Sequence, residues 1–329
     1  MLSFVVELCV SLLATLSARL RGAPLRAGWS FGFEVVVRAL KGNAARIARL
    51  DWAAQRAAWA ALVQPSPVLK KLRFERATVG GVPGEWFIPP DAAETAPVRL
   101  YFHGGSFIYG DAGSTHRELI AREALAAGAR TFAADYRLAP EHPFPAAIDD
   151  AVAVYRGLLE SGVAPSRLVV AGESAGGNLA LVTLLCARDL DLPQPAGAVL
   201  ACPWIDLSAR GGSLVEHRPF DWAEPEDFVR WADTYLGGHD ARDPLASPVF
   251  ADLGGLPPLL VQVGSAEMLF DQVSRFVDHA RAHGVDVDYR VHDDMVHNWH
   301  MLASVFRSGQ DAIDEIGAFV RRVTSSPTG

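Results

Sequence analysis

Short apolar runs recur along this chain, separated by longer stretches whose apolar residues fall at helical spacing. Leu72 to Val79, Glu85 to Ile88, Arg99 to Phe102, Thr131 to Ala134, Leu168 to Ala171, Ala198 to Ala201, Leu259 to Val263 and Val287 to Val291 read as strands. The first two join at Gly80-Gly81-Val82-Pro83-Gly84, a turn-forming cluster that predicts an antiparallel opening. Helices are predicted near Thr115 to Ala127, Ala146 to Leu159, Gly177 to Arg188, Leu269 to His283 and Gln310 to Val323. Such alternation implies an α/β fold with a mostly parallel sheet covered on both faces. In a sheet of this kind, reactive groups gather beyond the carboxyl ends of the strands.

Two intervals break the rhythm. Met1 to Leu20 is apolar, with Val5, Val6, Leu8, Leu12, Leu13 and Leu16, but it lacks a basic start, Glu7 interrupts it, and Arg19 and Arg21 lie at its far end. That argues against an export signal, and the run is short for a membrane span. It reads as an amphipathic helix that packs on the protein or rests on a lipid surface, the former being favoured. Ala44 to Leu62 reads as one further helix, ending at the boundary Pro65-Ser66-Pro67. From Asp206 to Pro248 no strand is convincing, while Asp227 to Leu236 is helical and Phe220, Trp222, Phe228, Trp231 and Tyr235 recur. This stretch reads as an insertion over the site.

The chemistry concentrates at two glycine clusters, each following an apolar run. Gly172-Glu173-Ser174-Ala175-Gly176 lies between the run ending at Ala171 and the small-residue stretch Gly177-Asn178-Leu179-Ala180. A serine between glycines at a strand-to-helix junction is a nucleophile elbow: the turn admits only small residues beside it and lifts the hydroxyl clear of the backbone. His103-Gly104-Gly105-Ser106-Phe107 follows the other run. Its glycines offer main-chain amides that a substrate can approach, as an oxyanion hole needs. Gly104, Gly105 and Ala175 are the expected donors.

These segments, with Asp135-Tyr136-Arg137-Leu138-Ala139-Pro140-Glu141-His142-Pro143-Phe144-Pro145-Ala146-Ala147 and Asp294-Met295-Val296-His297, resemble the bacterial hormone-sensitive-lipase-like esterases over roughly residues 70 to 323. The resemblance implies an α/β-hydrolase fold with a sheet of about eight strands and a helical cap. The chain then divides into 1–66, the first part of the cap; 67–205, the first part of the catalytic domain; 206–248, the rest of the cap; and 249–329, the rest of the catalytic domain. It also implies a serine carboxylesterase acting on small, short-acyl esters through an acyl-enzyme, without cofactor or metal. The chain order of nucleophile, acid and base leaves His292, His297 and His300 as candidate bases. The family's methionine two places before the base selects His297. A metal cluster of these histidines with Asp293 and Asp294 is the minor alternative. Two departures stand out: Ser106 replaces a third glycine, and Gly264-Ser265-Ala266-Glu267-Met268-Leu269-Phe270-Asp271 replaces Asp-Pro-Leu-Arg-Asp. Laid over that pattern, Glu267 takes the place of the catalytic aspartate and Asp271 is its rival, expected to cap or pair. Glu173 is expected to make a supporting hydrogen bond. Phe107, Trp204 and Trp299 flank the site as candidate pocket walls, with core packing as their alternative use.

Composition narrows the rest. The 329 residues are 50% hydrophobic, enough for a large α/β domain with an accessory lobe, and a net charge of −8 without a basic stripe excludes nucleic acid as a partner. Cys9, Cys186 and Cys202 have no metal-ligand spacing and fit a reducing compartment, so a cytoplasmic location is expected. The expected partner is a small-molecule ester; a homodimer and a membrane contact through the first helix stay open. Rival functions are a lipase or amidase on the same frame, or a non-catalytic ligand binder. The presence of both Ser174 and His297 favours an enzyme.

Overall fold

The computed structural model describes residues 2–63 and 66–325. All eight expected strands form one sheet in the order β1-β2-β4-β3-β5-β6-β7-β8. These are β1 (Arg73–Val79), β2 (Val82–Ile88), β3 (Val98–Phe102), β4 (Arg130–Ala134), β5 (Leu168–Glu173), β6 (Gly197–Ala201), β7 (Leu259–Gly264) and β8 (Val287–His292). β2 runs antiparallel to β1 and β4, and every other pairing is parallel. β3, β5, β6 and β7 are buried at every position, as central strands covered on both faces must be. Side chains alternate between the two cores. Leu100, Phe102 and Val170 join α5 (Ala146–Glu160), α6 (Ala175–Asp189) and α9 (Phe270–Ala282) on one face. Tyr101, Val169 and Ala171 join α4 (Arg117–Ala127) and α10 (Arg307–Thr324) on the other.

The N-terminal segment differs from expectation. It holds α1 (Leu2–Leu20), α2 (Phe31–Ile47) and α3 (Trp52–Ala60). The single helix expected over Ala44 to Leu62 is broken between α2 and α3, because Asp51 accepts the Ala54 N–H at 2.8 Å and starts a new helix. Of the boundary Pro65-Ser66-Pro67, Pro65 lies outside the described residues. The apolar side of α1 is not packed on the protein: Ser11, Thr15 and Ala18 face α2, whereas Val5, Val6, Val10, Leu12, Leu13, Leu16 and Leu20 are exposed. Small side chains allow the close approach to α2, so the large aliphatics turn outward. Among the described residues no helix is long and apolar enough to cross a membrane.

The interval after β6 carries α7 (Ser213–Glu216) and α8 (Pro225–Leu236) and touches the N-terminal segment. Arg230 donates to the Ala48 carbonyl at 2.6 Å and lies over the Trp52 ring; Lys41 pairs with Glu224 at 3.5 Å; Trp29 meets Phe220 edge-on. The N-terminal segment also grips the loops beyond the sheet. Trp29 Nε1 donates to the Asp294 carbonyl at 2.6 Å, and Arg56 donates to the carbonyls of Ile108 and Ala139, both at 2.7 Å, and to Glu141.

Candidate active site

β5 ends and α6 begins around Ser174, whose φ of 55° lies in the left-handed region. A non-glycine residue holds that conformation only where its surroundings enforce it. Here the Ser174 N–H donates to Ala201 O at 2.9 Å, and Ser174 O accepts from Trp204 N at 3.0 Å. The flanking glycines are required by space. A Cβ at Gly176 would strike the Phe102 carbonyl, and one at Gly172 would strike the carbonyl of Gly176. One turn on, Asn178 Nδ2 donates to Trp204 O and Ala246 O, both at 2.9 Å, tying the elbow to the chain beyond β6.

Two loops converge on the serine. From the loop after β8, His297 Nε2 lies 2.9 Å from Ser174 Oγ. From the turn after β7, Glu267 Oε1 lies 3.6 Å from His297 Nδ1, while Glu267 Oε2 accepts the Gly264 N–H at 3.0 Å. All three side chains are buried. With Nε2 accepting the serine proton, Nδ1 carries the hydrogen and points it at a carboxylate, the arrangement that fixes a general-base tautomer. Asp271, the rival acid, is used elsewhere: its carboxylate accepts the Ser213 N–H at 2.6 Å.

The oxyanion loop requires one correction. The Gly104 N–H donates to Glu173 Oε1, so it is not free for an oxyanion. Glu173 has three partners, since His116 Nε2 is 3.1 Å from Oε1 and Asn298 Nδ2 donates to Oε2 at 3.0 Å. Burial pushes its carboxyl well above the usual range. The supporting bond expected of Glu173 is therefore a junction of the oxyanion loop, the start of α4 and the base loop. Beyond Gly104 the chain turns through Gly105, Ser106 and Phe107 at φ 112°, 57° and 62°. Among the described residues no acceptor is recorded for the N–H of Gly105, Ser106 or Ala175. The Tyr136 hydroxyl donates to His103 O at 2.6 Å and Arg137 pairs with Asp150 at 2.7 Å, so that segment shapes the loop.

The three candidate pocket walls are core residues. Phe107 is fully buried and stacks on Tyr235 at 3.9 Å; Trp204 is buried edge-on against Phe228; Trp299 packs with Trp29 and Phe33 behind the base loop. Sequence places all three near the site, and each is packed among other aromatic side chains. The half-buried Trp222 stands beside the imidazole instead, with ring centroids 5.8 Å apart and Nε1 donating to His297 O at 3.0 Å. Trp59 contacts Trp222 and stacks on Tyr109, extending an aromatic wall from the base.

The three late histidines do not converge. His292 faces Glu315 at 3.1 Å, His300 faces Gln262 at 2.9 Å, and only His297 meets Ser174. Among the described residues, a cluster of His, Cys and carboxylate ligand atoms lies within 4.8 Å at Cys202, Glu267 and His297, the candidate acid and base plus one thiol. His300 is buried, at 1% exposed. Gln262 Nε2 donates to Ala312 O and Glu315, so its Oε1 accepts and His300 Nε2 carries the hydrogen. Nδ1 then holds a buried lone pair, and protonating it would bury an N–H without an acceptor. Burial, with His292 and His297 nearby, holds the His300 pKa down at about 3 against an ordinary 6.5. The unfolded chain takes up this proton below pH 6.5 while the folded chain refuses it down to about pH 3. The contribution is therefore whole above that window and is lost as pH falls through it, about 2 kcal/mol between pH 6.5 and 5. Urea unfolding at pH 7 and pH 5 is expected to show a smaller loss for His300→Gln than for the unaltered protein; equal losses would contradict this role.

A family model described as alpha/beta hydrolase fold matches residues 99–301. An acetyl-hydrolase of Streptomyces hygroscopicus is 44% identical over 248 residues, 75% of this chain and 82% of the relative. Carboxylesterase NlhH of Mycobacterium tuberculosis is 34% identical over 268 residues, 76% of this chain and 83% of the relative. The crystal structure of an esterase from the bacterial hormone-sensitive lipase family superposes with a TM-score of 0.83 at 41% identity, covering 88% of this chain and 98% of that one.

Proposed function

We propose, given that the chain belongs to the α/β-hydrolase family and there to the bacterial hormone-sensitive-lipase-like carboxylesterases, that Ser174, His297 and Glu267 are its nucleophile, base and acid. It is a carboxylic ester hydrolase. The observation that carries the assignment is the 2.9 Å contact between His297 Nε2 and the serine at the strained elbow. His297 takes the Ser174 proton as Oγ attacks the ester carbonyl, and Glu267 stabilises the imidazolium without taking the proton. The amides of Gly105 and Ala175, with Ser106 in place of Gly104, hold the oxyanion. The imidazolium protonates the departing alcohol, and water activated by the same histidine releases the acid. No cofactor or metal takes part.

Residues 1–66 and 206–248 form a cap over this site, a reading supported by the contacts of Arg230, Lys41 and Trp29 between the two segments. The substrate is a small, short-acyl ester, a reading supported by the aromatic wall in which Trp222 stands beside the imidazole, Trp59 contacts Trp222 and Tyr109 stacks on Trp59. Across p-nitrophenyl esters of increasing length, kcat/KM is expected to peak at about two to six acyl carbons. A maximum on long-chain emulsified triglyceride would contradict the short-acyl reading. A cytoplasmic location fits the three free thiols. The outward aliphatic face of α1 suits a lipid surface or a second copy of the chain. Nucleic acid is not a partner.

A further inference from the structure

The cap segment reaches past the substrate side of the site and holds the backbones of the two loops that carry acid and base. Asp221, 1% exposed and four residues before α8, is the centre of this grip. Its Oδ2 accepts the Met268 N–H at 2.8 Å, next to Glu267, and its Oδ1 accepts the His297 N–H at 3.3 Å and the Trp222 N–H at 2.8 Å. Trp222 Nε1 donates to His297 O, so both backbone polar groups of the base are bonded to this dipeptide. The same segment reaches the acid loop twice more: His217 Nδ1 lies 2.9 Å from Glu267 O, and Ser213 Oγ donates to Met268 O at 2.9 Å.

We propose that Asp221 is a positioning residue of the esterase, a buried carboxylate in the cap that sets the separation of Glu267 and His297 and favours the imidazolium formed during attack. The proposal rests on the triad reading above. Three N–H donors converge on the carboxylate and, among the described residues, no acceptor is hydrogen-bonded to it, which is the environment of an ionised acceptor rather than of a carboxylic acid. The titratable groups facing it are Glu267 from the turn after β7, His297 from the loop after β8 and the Cys202 thiol after β6. Burial, helped by the nearby Glu267, leaves the Asp221 carboxyl above its ordinary range, with the charge of His297 and the N–H bonds from Met268 and Trp222 opposing that rise. A negative Asp221 attracts the positive charge that the His297 ring takes on during attack. The Glu267–His297 gap of 3.6 Å is longer than a hydrogen bond, so small displacements of either loop decide whether that bond closes. A carboxylate bonded to both loops is placed to control that distance.

Asp221→Asn keeps an acceptor but removes the charge and turns an amide donor toward an existing N–H. Its kcat for a short p-nitrophenyl ester is expected to fall about 10- to 100-fold with KM within about threefold, rates being taken per site titrated with a fluorophosphonate. The acidic limb of the kcat/KM profile is expected to move to lower pH. Trp222→Phe, which removes the Nε1–H bond to His297 O while keeping an aromatic ring beside the imidazole, is expected to lower kcat by a smaller factor and serves if the Asn variant does not fold. An Asn variant with unchanged kcat and acidic limb overturns the proposal, as does loss confined to the fraction of titratable sites. If the Asn variant does not fold, an unchanged Trp222→Phe overturns it. Labelling reports on the triad separately: absence of label at Ser174 defeats the triad, whereas labelled enzyme indifferent to Asp221 defeats only the clamp.

Discussion

Ser174→Ala and His297→Ala are each expected to lower kcat on an aryl acetate by about 10⁴-fold or more, and the double variant to be no worse than either alone. Non-additivity is the informative part. The two side chains share one proton across a 2.9 Å contact, so removing either disables the same step. Neither change should unfold the protein, because the elbow is held by the backbone bonds of Ser174 to Ala201 and Trp204 rather than by the hydroxyl. Steady-state kinetics on the single and double variants, with thermal unfolding as a control, checks this. Activity within tenfold of the unaltered enzyme in either single variant would move the role to another residue.

Glu267→Ala is expected to cost about 10³- to 10⁴-fold in kcat, whereas Asp271→Ala should stay within about threefold. The difference follows from where the two carboxylates point. Glu267 aims Oε1 at His297 Nδ1 and is steadied by the Gly264 N–H, while Asp271 is spent on Ser213 at the start of α7. A collapse in the Asp271 variant with near-normal Glu267→Ala would transfer the acid role.

The centre of the sheet was legible because β3, β5, β6 and β7 are short runs buried on both faces, and a fully buried strand leaves a compact apolar signature. These runs, with the flanking strands set off by turns and helical stretches, led directly to the observed sheet. The elbow was legible for a related reason: only glycine fits where Gly172 and Gly176 meet neighbouring carbonyls. The N-terminal segment was harder, because α1 buries its small residues and exposes its large ones, the reverse of the rule by which an amphipathic helix is oriented. Side-chain surroundings also escaped the sequence. Proximity in the chain suggested Phe107, Trp204 and Trp299 as pocket walls, yet all three are buried among other aromatic side chains. Gly104 failed as an oxyanion donor through its bond to Glu173, a contact across 69 residues that no local pattern encodes. Asp221 and Trp222 had no signal beyond an acid beside an aromatic in an irregular stretch. A partial cue lay in the absence of strand pattern from Asp206 to Pro248, which marked an insertion without showing how it reaches the base.

The central claim is that Ser174 becomes acylated through His297. Incubation with diethyl p-nitrophenyl phosphate, followed by mass spectrometry of the intact and digested protein, tests it most directly. The expected result is one diethylphosphoryl group per chain, on the peptide containing Ser174, formed in step with loss of activity and suppressed in His297→Ala. Complete inactivation with Ser174 unmodified, or with the label on another residue, would contradict the account.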